Sequence, residues 1–345
     1  ILFGAVFFQD EKIETLTRNI LLNELDEQIL DDGAHFELSP MYHVILLQRA
    51  LDGYNLLLNN DHNLRDVEEL LAESIQKMVN WLFTIRFSNG DIPMLNDSTH
   101  GQALDIIMNY ARELGFQPEK TKLIASGYRK YENGAFELVA DVGEVGPSYQ
   151  PGHAHADCLN FVLHHDGKPV IVDRGISTYE KNELREEERG TASHNTVVIH
   201  SQNQSDVWGG FRVGRRAKPI LITDSEFELE ATHTGYDHLG LRHERRWDIS
   251  EVQIAIEDII QGSEESVSAY LHFHPDVKVE KVDDQIFHTE SLIFSFSNSD
   301  SVRLVKYEYC EGYNKRRDAI KLIVNFKDNL KTEIFEPQRT PRAQS

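Results

Sequence analysis

PGHAHADCLNFVLHHDGKPVIVDRG, residues 151–175, is the stretch on which the reading of the fold turns. Its second half sets two apolar runs, 159–163 and 170–172, on either side of Asp166-Gly167. An Asp-Gly pair between apolar runs is a hairpin signal, because both residues tolerate the positive φ of a tight turn. Asp173 then ends the returning strand beside the first. The first half spaces His153, His155 and Asp157 two apart. In a strand this spacing turns all three side chains to one face. Two imidazoles and a carboxylate at a sheet rim form a candidate site. The plainer alternative is a surface strand of alternating polarity.

Downstream, short strand-like pieces follow one another: NTVVIH, KPILITDSEF, RHERRWDI, VSAYLHFH, SLIFSFS, VRLVKYEY and AIKLIVNF. Turn residues separate them and no helical period persists, which reads as an antiparallel sandwich of many strands. Upstream the period changes. Ile13, Leu16, Ile20, Leu25 and Ile29 recur at helical spacing, as do Leu64, Val67, Leu71, Ile75, Met78, Leu82 and Ile85. Ser39-Pro40 looks like a helix start, with serine as N-cap and proline at the first helical position. A fourth helical pattern runs from Ser98 or Thr99 to Gly115. The chain thus divides into a helical part, 1–124, and an antiparallel β part, 125–345, with the boundary near LIASGYRKYENG.

At 345 residues the chain is long enough for one or two domains with a sizeable core. A formal net charge of -22 argues against binding nucleic acid. It also disfavours a polyanionic substrate unless Arg and His gather in the cleft. Two cysteines, Cys158 and Cys310, supply neither a disulfide framework nor a thiolate metal cluster. No run reaches membrane-spanning length. The opening ILFGAVFFQ has no methionine, basic flank or cap, and reads as the middle of a helix in a longer protein.

His155, Asp173 and His194 are the right residue types for a zinc site with three protein ligands. Their separations resemble neither a zinc finger nor HExxH, so the sheet has to bring them together. His153 either joins them or serves as a base, kept neutral by the nearby cation. His164 and His165 flank the turn and read as surface residues, as does His200. In the helical part Tyr42 falls in the first turn of its helix, where it can exchange a proton or simply pack. His35 and Glu37 are close enough to share a pocket with it. Tyr179 follows Asp173 by six residues and could overhang the same site. Trp208 and Arg212 suit sugar stacking and carboxylate binding, or a core and a surface role.

The ordered set DDGAHFELSPMYH, PGHAHADCLNFVL, VIVDRGISTY, RGTASHNTVVI and WGGFR resembles the heparinase II/III family of polysaccharide lyases over nearly the whole chain. The related alginate lyases share the arrangement, so the resemblance fixes the reaction better than the sugar. It implies a partial (α/α) toroid of helices followed by a large antiparallel β-sandwich. It further implies β-elimination on a uronic-acid glycan, heparan-sulfate-like or alginate-like, by a protein that is periplasmic or secreted. Tyr42 matches the family's toroid tyrosine and His153 the histidine contributed by the sandwich, facing each other with room for a sugar ring. His155, Asp173 and His194 match the zinc ligands, and Tyr179 a second tyrosine of some alginate-cleaving relatives. His35, Glu37, Trp208 and Arg212 are candidate substrate contacts. The family's carboxylate-neutralising Asn or His would precede residue 1. Three other readings compete: a cupin-like metal enzyme, a sugar hydrolase with paired carboxylates, and a carbohydrate-binding or polysaccharide-assembly protein with a structural metal.

Overall fold

The computed structural model describes residues 1–263 and 265–337. Contacts divide it into two compact units, one of residues 1–130 and 146–154, the other of 131–145 and 155–345. The first unit is helical: α1 (Leu2–Phe8), α2 (Glu11–Gln28), α3 (Pro40–Leu58), α4 (Arg65–Ile85) and α5 (Leu104–Glu113). Ser39 caps α3 by accepting from the Tyr42 N–H, and Pro40 occupies the first turn, as the sequence predicts. In α4 the expected stripe of Val67, Leu71, Ile75, Met78, Leu82 and Ile85 is buried throughout. The stripe expected on α2 is not: Leu25 is buried, whereas Leu16 and Ile20 are exposed.

The predicted fourth helix starts late, at Leu104 rather than Ser98. Ser98 is instead held in a loop, its Oγ 3.1 Å from that of Ser39 and accepting the Met41 N–H at 3.2 Å. Gly33, in the DDGAHFEL loop, has φ of +91°, and a Cβ there would lie 2.1 Å from the Lys77 carbonyl oxygen. Only glycine permits that loop to pack so closely on α4.

The second unit is a sandwich. A four-stranded sheet runs in the order β1 (Tyr128–Asn133), β2 (Phe136–Asp141), β3 (Phe161–His165), β4 (Lys168–Ile171). Asp166 and Gly167 both have positive φ at the β3–β4 turn, as the Asp-Gly signal required. β3 is buried along its whole length between β2 and β4, although Lys168 at the tip of β4 is exposed, so His164 and His165 are buried and not the surface residues predicted. The His165 ring packs 5.0 Å from that of Phe136 and its Nε2 lies 3.1 Å from Glu336. After β4 come α6 (Glu183–Arg189), β5 (Val197–Val198) and the small hairpin β6 (Asp206–Trp208) and β7 (Arg212–Gly214).

The remaining strands, joined by β5 through its pairing with β12, form one large antiparallel sheet: β8 (Pro219–Asp224), β9 (Glu228–His233), β10 (Arg242–Ile249), β11 (Gln253–Gln261), β12 (Val267–His272), β13 (Glu280–Lys281), β14 (Ile286–His288), β15 (Ile293–Gly312) and β16 (Lys315–Phe335). SLIFSFS and VRLVKYEY, read as two strands, are the two halves of β15, with register irregularities between Ser297 and Ser301. Its partner β16 pairs with β12 over residues 321–326 and with β11 over 329–335. Phe136, Leu138, Phe161 and Leu163 from the small sheet join Trp247, Ile256, Leu271 and Val324 from the large one in a single apolar core. Each such side chain, fully buried, contributes roughly 1.5–3 kcal/mol.

Alternation also carries charge inward. On β10 the inward positions are His243, Arg245, Trp247 and Ile249, and on β11 they include Asp258. The register sets Arg245 directly opposite Asp258. Their contacts are bidentate, at 2.7 and 3.0 Å, and His243 Nε2 lies 2.7 Å from the same carboxylate. Arg245 and His243 hold the Asp258 carboxyl down to about 2 against the opposing effect of burial. The remaining guanidinium nitrogen donates to the carbonyls of Leu159 and Asn195. The core thus reaches out to fix two loops that carry the polar site described next.

Candidate functional site

Two polar clusters emerge, one in each unit. In the sandwich unit His155 and Asp157 lie in the loop before β3, and His194 follows a single 3₁₀ turn, Thr191–Ser193. None of the first two is in a strand, so the same-face argument from alternation does not apply; the loop itself brings them together. One ligand atom from each of His155, Asp157 and His194 lies within 4.8 Å of the other two, and all three residues are buried. Asp173, expected as the third ligand, is not in this triplet. Its Oδ2 lies 2.7 Å from His194 Nδ1 and accepts from Asn160 Nδ2 at 2.7 Å. It stands behind His194, in the position from which a carboxylate orients a metal-binding imidazole.

Among the described residues, His194 Nε2 and Asp157 Oδ2 have no hydrogen-bond partner although both are buried. Burial pushes the Asp157 carboxyl up to about 6 despite the neighbouring His194. Burial, and then Asp157, also push Asp141 at the end of β2 well above the ordinary carboxylate range. A cation would satisfy both orphaned atoms and balance these acids, and two imidazoles with a carboxylate are a donor set that fits zinc. The frame around it is rigid. Asn195 donates to the carbonyls of Phe161 and Val172 and accepts from the His272 N–H, and its own N–H donates to Asn160 Oδ1. Asp141, Asn160 and Asn195 escaped sequence reading; only the NTVVIH and CLNF contexts of the two asparagines hinted at them.

The second cluster lies in the helical unit. His153, expected from the sandwich side, belongs to the segment 146–154 that returns to the helices. Its backbone carbonyl accepts the Asp97 N–H at 3.1 Å. The Tyr42 and His153 rings are stacked, with centroids 3.9 Å apart and planes 26° from parallel. They therefore do not bracket a sugar ring, as the sequence reading had expected. A substrate has to meet the edges of the pair. His153 Nδ1 lies 2.9 Å from Asp97 Oδ2, and Nε2 is 3.9 Å from Glu37 Oε2. Asp97 is fully buried, and sequence reading missed it because it sits in a stretch that scans as a helix start.

His35 and Glu37 both line a cavity of about 660 Å³, together with Glu24, Glu27, Gln28, Phe36, Tyr149 and Gln150. Glu37 Oε2 is 3.9 Å from His35 Nδ1. Burial raises the Glu37 carboxyl against the pull of His153. Burial, aided by His153, lowers His35 to about 4, so it is neutral at ordinary pH. Among these lining residues there is no Lys or Arg, which makes the wall acidic.

The other predicted residues lie in the sandwich unit. Tyr179 packs against Phe211 and Tyr313, with the Arg185 guanidinium 5.0 Å from its ring. Trp208 and Arg212 are cross-strand partners in the β6–β7 hairpin, both exposed. Cys158 and Cys310 are free and buried. No helix among the described residues is long and apolar enough to cross a membrane.

Comparison with known proteins accords with this arrangement. Residues 7–124 match the profile of the heparinase II/III N-terminus, and residues 117–339 match that of the heparinase II/III-like C-terminal region. The chain belongs to the heparinase II/III family. Family relatives include the heparin-sulfate lyase of Bacteroides stercoris, 23% identical over 232 residues, covering 59% of this chain and 34% of the relative. The heparin-sulfate lyase of Bacteroides thetaiotaomicron is 22% identical over 343 residues, covering 86% of this chain and 47% of the relative. The chain thus spans less than half the length of these relatives. A solved heparinase III superimposes with a TM-score of 0.79 at 19% identity, covering 100% of this chain and 59% of that one. The heparan sulfate lyase HepC from Pedobacter heparinus gives 0.76 at 20%, covering 99% and 59%. These superpositions establish the fold of the family: helices of the (α/α)-toroid type and an antiparallel β-sandwich.

Proposed function

We propose that this chain is part of a polysaccharide lyase that cleaves a uronic-acid-containing glycan by β-elimination. The observation that carries the reading is the stacked Tyr42–His153 pair, backed by Asp97 and flanked by Glu37 at an acidic cavity. β-Elimination removes the proton at C5 of the uronate and returns one to the leaving glycosidic oxygen. A phenol and an imidazole are the two group types suited to that exchange near neutral pH. Because the rings touch, both serve one face of the substrate. Neutralising the uronate carboxylate is a third requirement, since it makes the C5 proton acidic enough to remove.

The family's heparin-sulfate lyases favour a heparan-sulfate-like substrate over an alginate-like one for this chain. The acidic wall formed by Glu24, Glu27 and Glu37 favours a sparsely sulfated stretch, because a sulfate there meets like charge. Zinc would be held by His155, Asp157 and His194, with Asp173 orienting the His194 ring from behind. When bound, the ion supplies the positive charge that these buried acids lack, and so stabilises the loop architecture. His35 and Glu37 are substrate contacts in this reading. Tyr179 remains a candidate for a further catalytic contact, and Trp208 and Arg212 for sugar binding, through their exposed hairpin. A periplasmic or secreted location follows from the polymeric substrate.

The test offers full-length protein heparan sulfate, heparin, alginate and other uronate glycans, and follows the absorbance of the C4=C5 double bond. Elimination creates this chromophore and hydrolysis does not. New reducing ends without it would exclude the lyase and favour a sugar hydrolase. Binding with no cleavage of any glycan would favour a carbohydrate-binding or assembly role.

A further inference from the structure

We infer that Asp97 is a positioning residue for His153: it holds the imidazole as the Nδ1–H tautomer, so that Nε2 is the nitrogen that serves proton transfer. The inference rests on the lyase reading for its catalytic consequence and on geometry for its content. The Asp97 carboxylate is fully buried and its Oδ2 lies 2.9 Å from His153 Nδ1. An ionised carboxylate only accepts, so the ring nitrogen facing it has to carry the proton. Nε2 is then turned toward Glu37 and the cavity wall.

Asp97 is also fixed independently of the ring it holds. Its N–H donates to the His153 carbonyl at 3.1 Å, so residue 97 grips both backbone and side chain of residue 153. Its own carbonyl accepts from Ser39 Oγ at 2.7 Å. Ser39 is the cap of the helix that presents Tyr42. Next to it Asn96, at a φ of +54°, donates its side-chain N–H to the Leu38 carbonyl at 3.1 Å and to the Tyr128 hydroxyl at 3.2 Å. The loop 96–98 therefore ties the start of α3 to the returning segment, and one carboxylate sets the relation between the two proton-transfer groups. A carboxylate behind a histidine is the arrangement that fixes tautomer and orientation in hydrolytic triads; here it would serve an elimination.

The experiment uses full-length protein labelled with ¹⁵N-histidine, the His153 signals being assigned by their loss in H153Q. In the wild type, at a pH where the spectrum shows the ring singly protonated, that proton should be on Nδ1 and not on Nε2. In D97N the carboxamide can turn its N–H toward Nδ1, and the proton should move to Nε2. The kcat on the best glycan should then fall about 10²-fold or more, with KM little changed. A wild-type His153 carrying its proton on Nε2 overturns the inference. So does a D97N protein with unaltered tautomer and kcat. The wild-type spectrum needs no variant, so it decides even where D97N does not fold. If the wild type yields no unsaturated product from any glycan, the lyase reading fails, while the spectrum still decides whether Asp97 holds the ring.

Discussion

Acidification should loosen the start of α3, and His43 sets the size of the effect. This residue follows Tyr42 and is almost wholly buried. Its Nδ1 accepts the His35 N–H at 3.2 Å, and its Nε2 pairs with the Met78 carbonyl at 3.0 Å. The carbonyl only accepts, so the Nε2 carries the proton and a second proton on Nδ1 would cost the contact with His35. Burial, then the charge of His35, lower His43 from 6.5 to about 3; burial, then His153, lower His35 from 6.5 to about 4. Both are neutral when folded and become protonated when unfolded below 6.5. Between that value and the folded ones the unfolded chain binds more protons. The stability is therefore fully present above pH 6.5 and is lost as pH falls toward 4 and then 3. At about 1.4 kcal/mol per unit, a pH two units below 6.5 costs about 2.5 kcal/mol for each histidine, because the folded rings begin to titrate themselves, and about 5 for the pair. That is comparable with the whole stability of many domains, about 5–15 kcal/mol. Urea midpoints of wild type and H43Q, measured from about pH 7.5 to about pH 4.5, give the comparison. The wild type should lose stability steeply and H43Q about half as steeply. Equal slopes, or a folded His43 that titrates near 6.5, would refute the argument.

Three further outcomes are expected. Replacing Tyr42 with Phe keeps the ring stacked on His153 but removes the hydroxyl, so formation of unsaturated product should fall about 10²–10⁴-fold while the melting temperature holds; near-normal turnover excludes the phenol as acid or base. Freshly purified protein should carry about one zinc per chain by elemental analysis, and H194A should lose it with a fall in melting temperature; metal-free wild type that is equally stable with and without added zinc rules the site out. Converting Asp258 to Ala leaves Arg245 charged in the core and should cost about 3–5 kcal/mol in urea unfolding; a loss under about 1 kcal/mol would show that water or another anion already screens that guanidinium.

Periodicity, caps and turn residues made much of the fold legible. The buried stripe of α4, the Ser39-Pro40 start of α3 and the Asp166-Gly167 hairpin are each written within a few residues, because each depends on the local path of the backbone. The same locality explains the errors. Ser98 scans as a helix cap, yet its hydroxyl is drawn to Ser39 and Met41, residues distant in sequence. His164 and His165 scan as polar residues beside a turn, yet the strands on either side and the core beneath bury them.

The site shows the division most plainly. The sequence by itself determined the residue types, the family to which the ordered motifs point, and which short stretches carry the histidines, Tyr42 and the acids. Only the tertiary structure decided that His153 departs from its neighbours His155 and Asp157 to join the helical unit. It also decided that Asp173 backs His194 while Asp157 enters the triplet, and that Asp97 holds His153 from 56 positions away. A hydrogen bond between residues so far apart leaves no trace in local pattern. Its partners are chosen by how helices and loops pack, and by the requirement that a buried carboxylate find a donor once water has been removed.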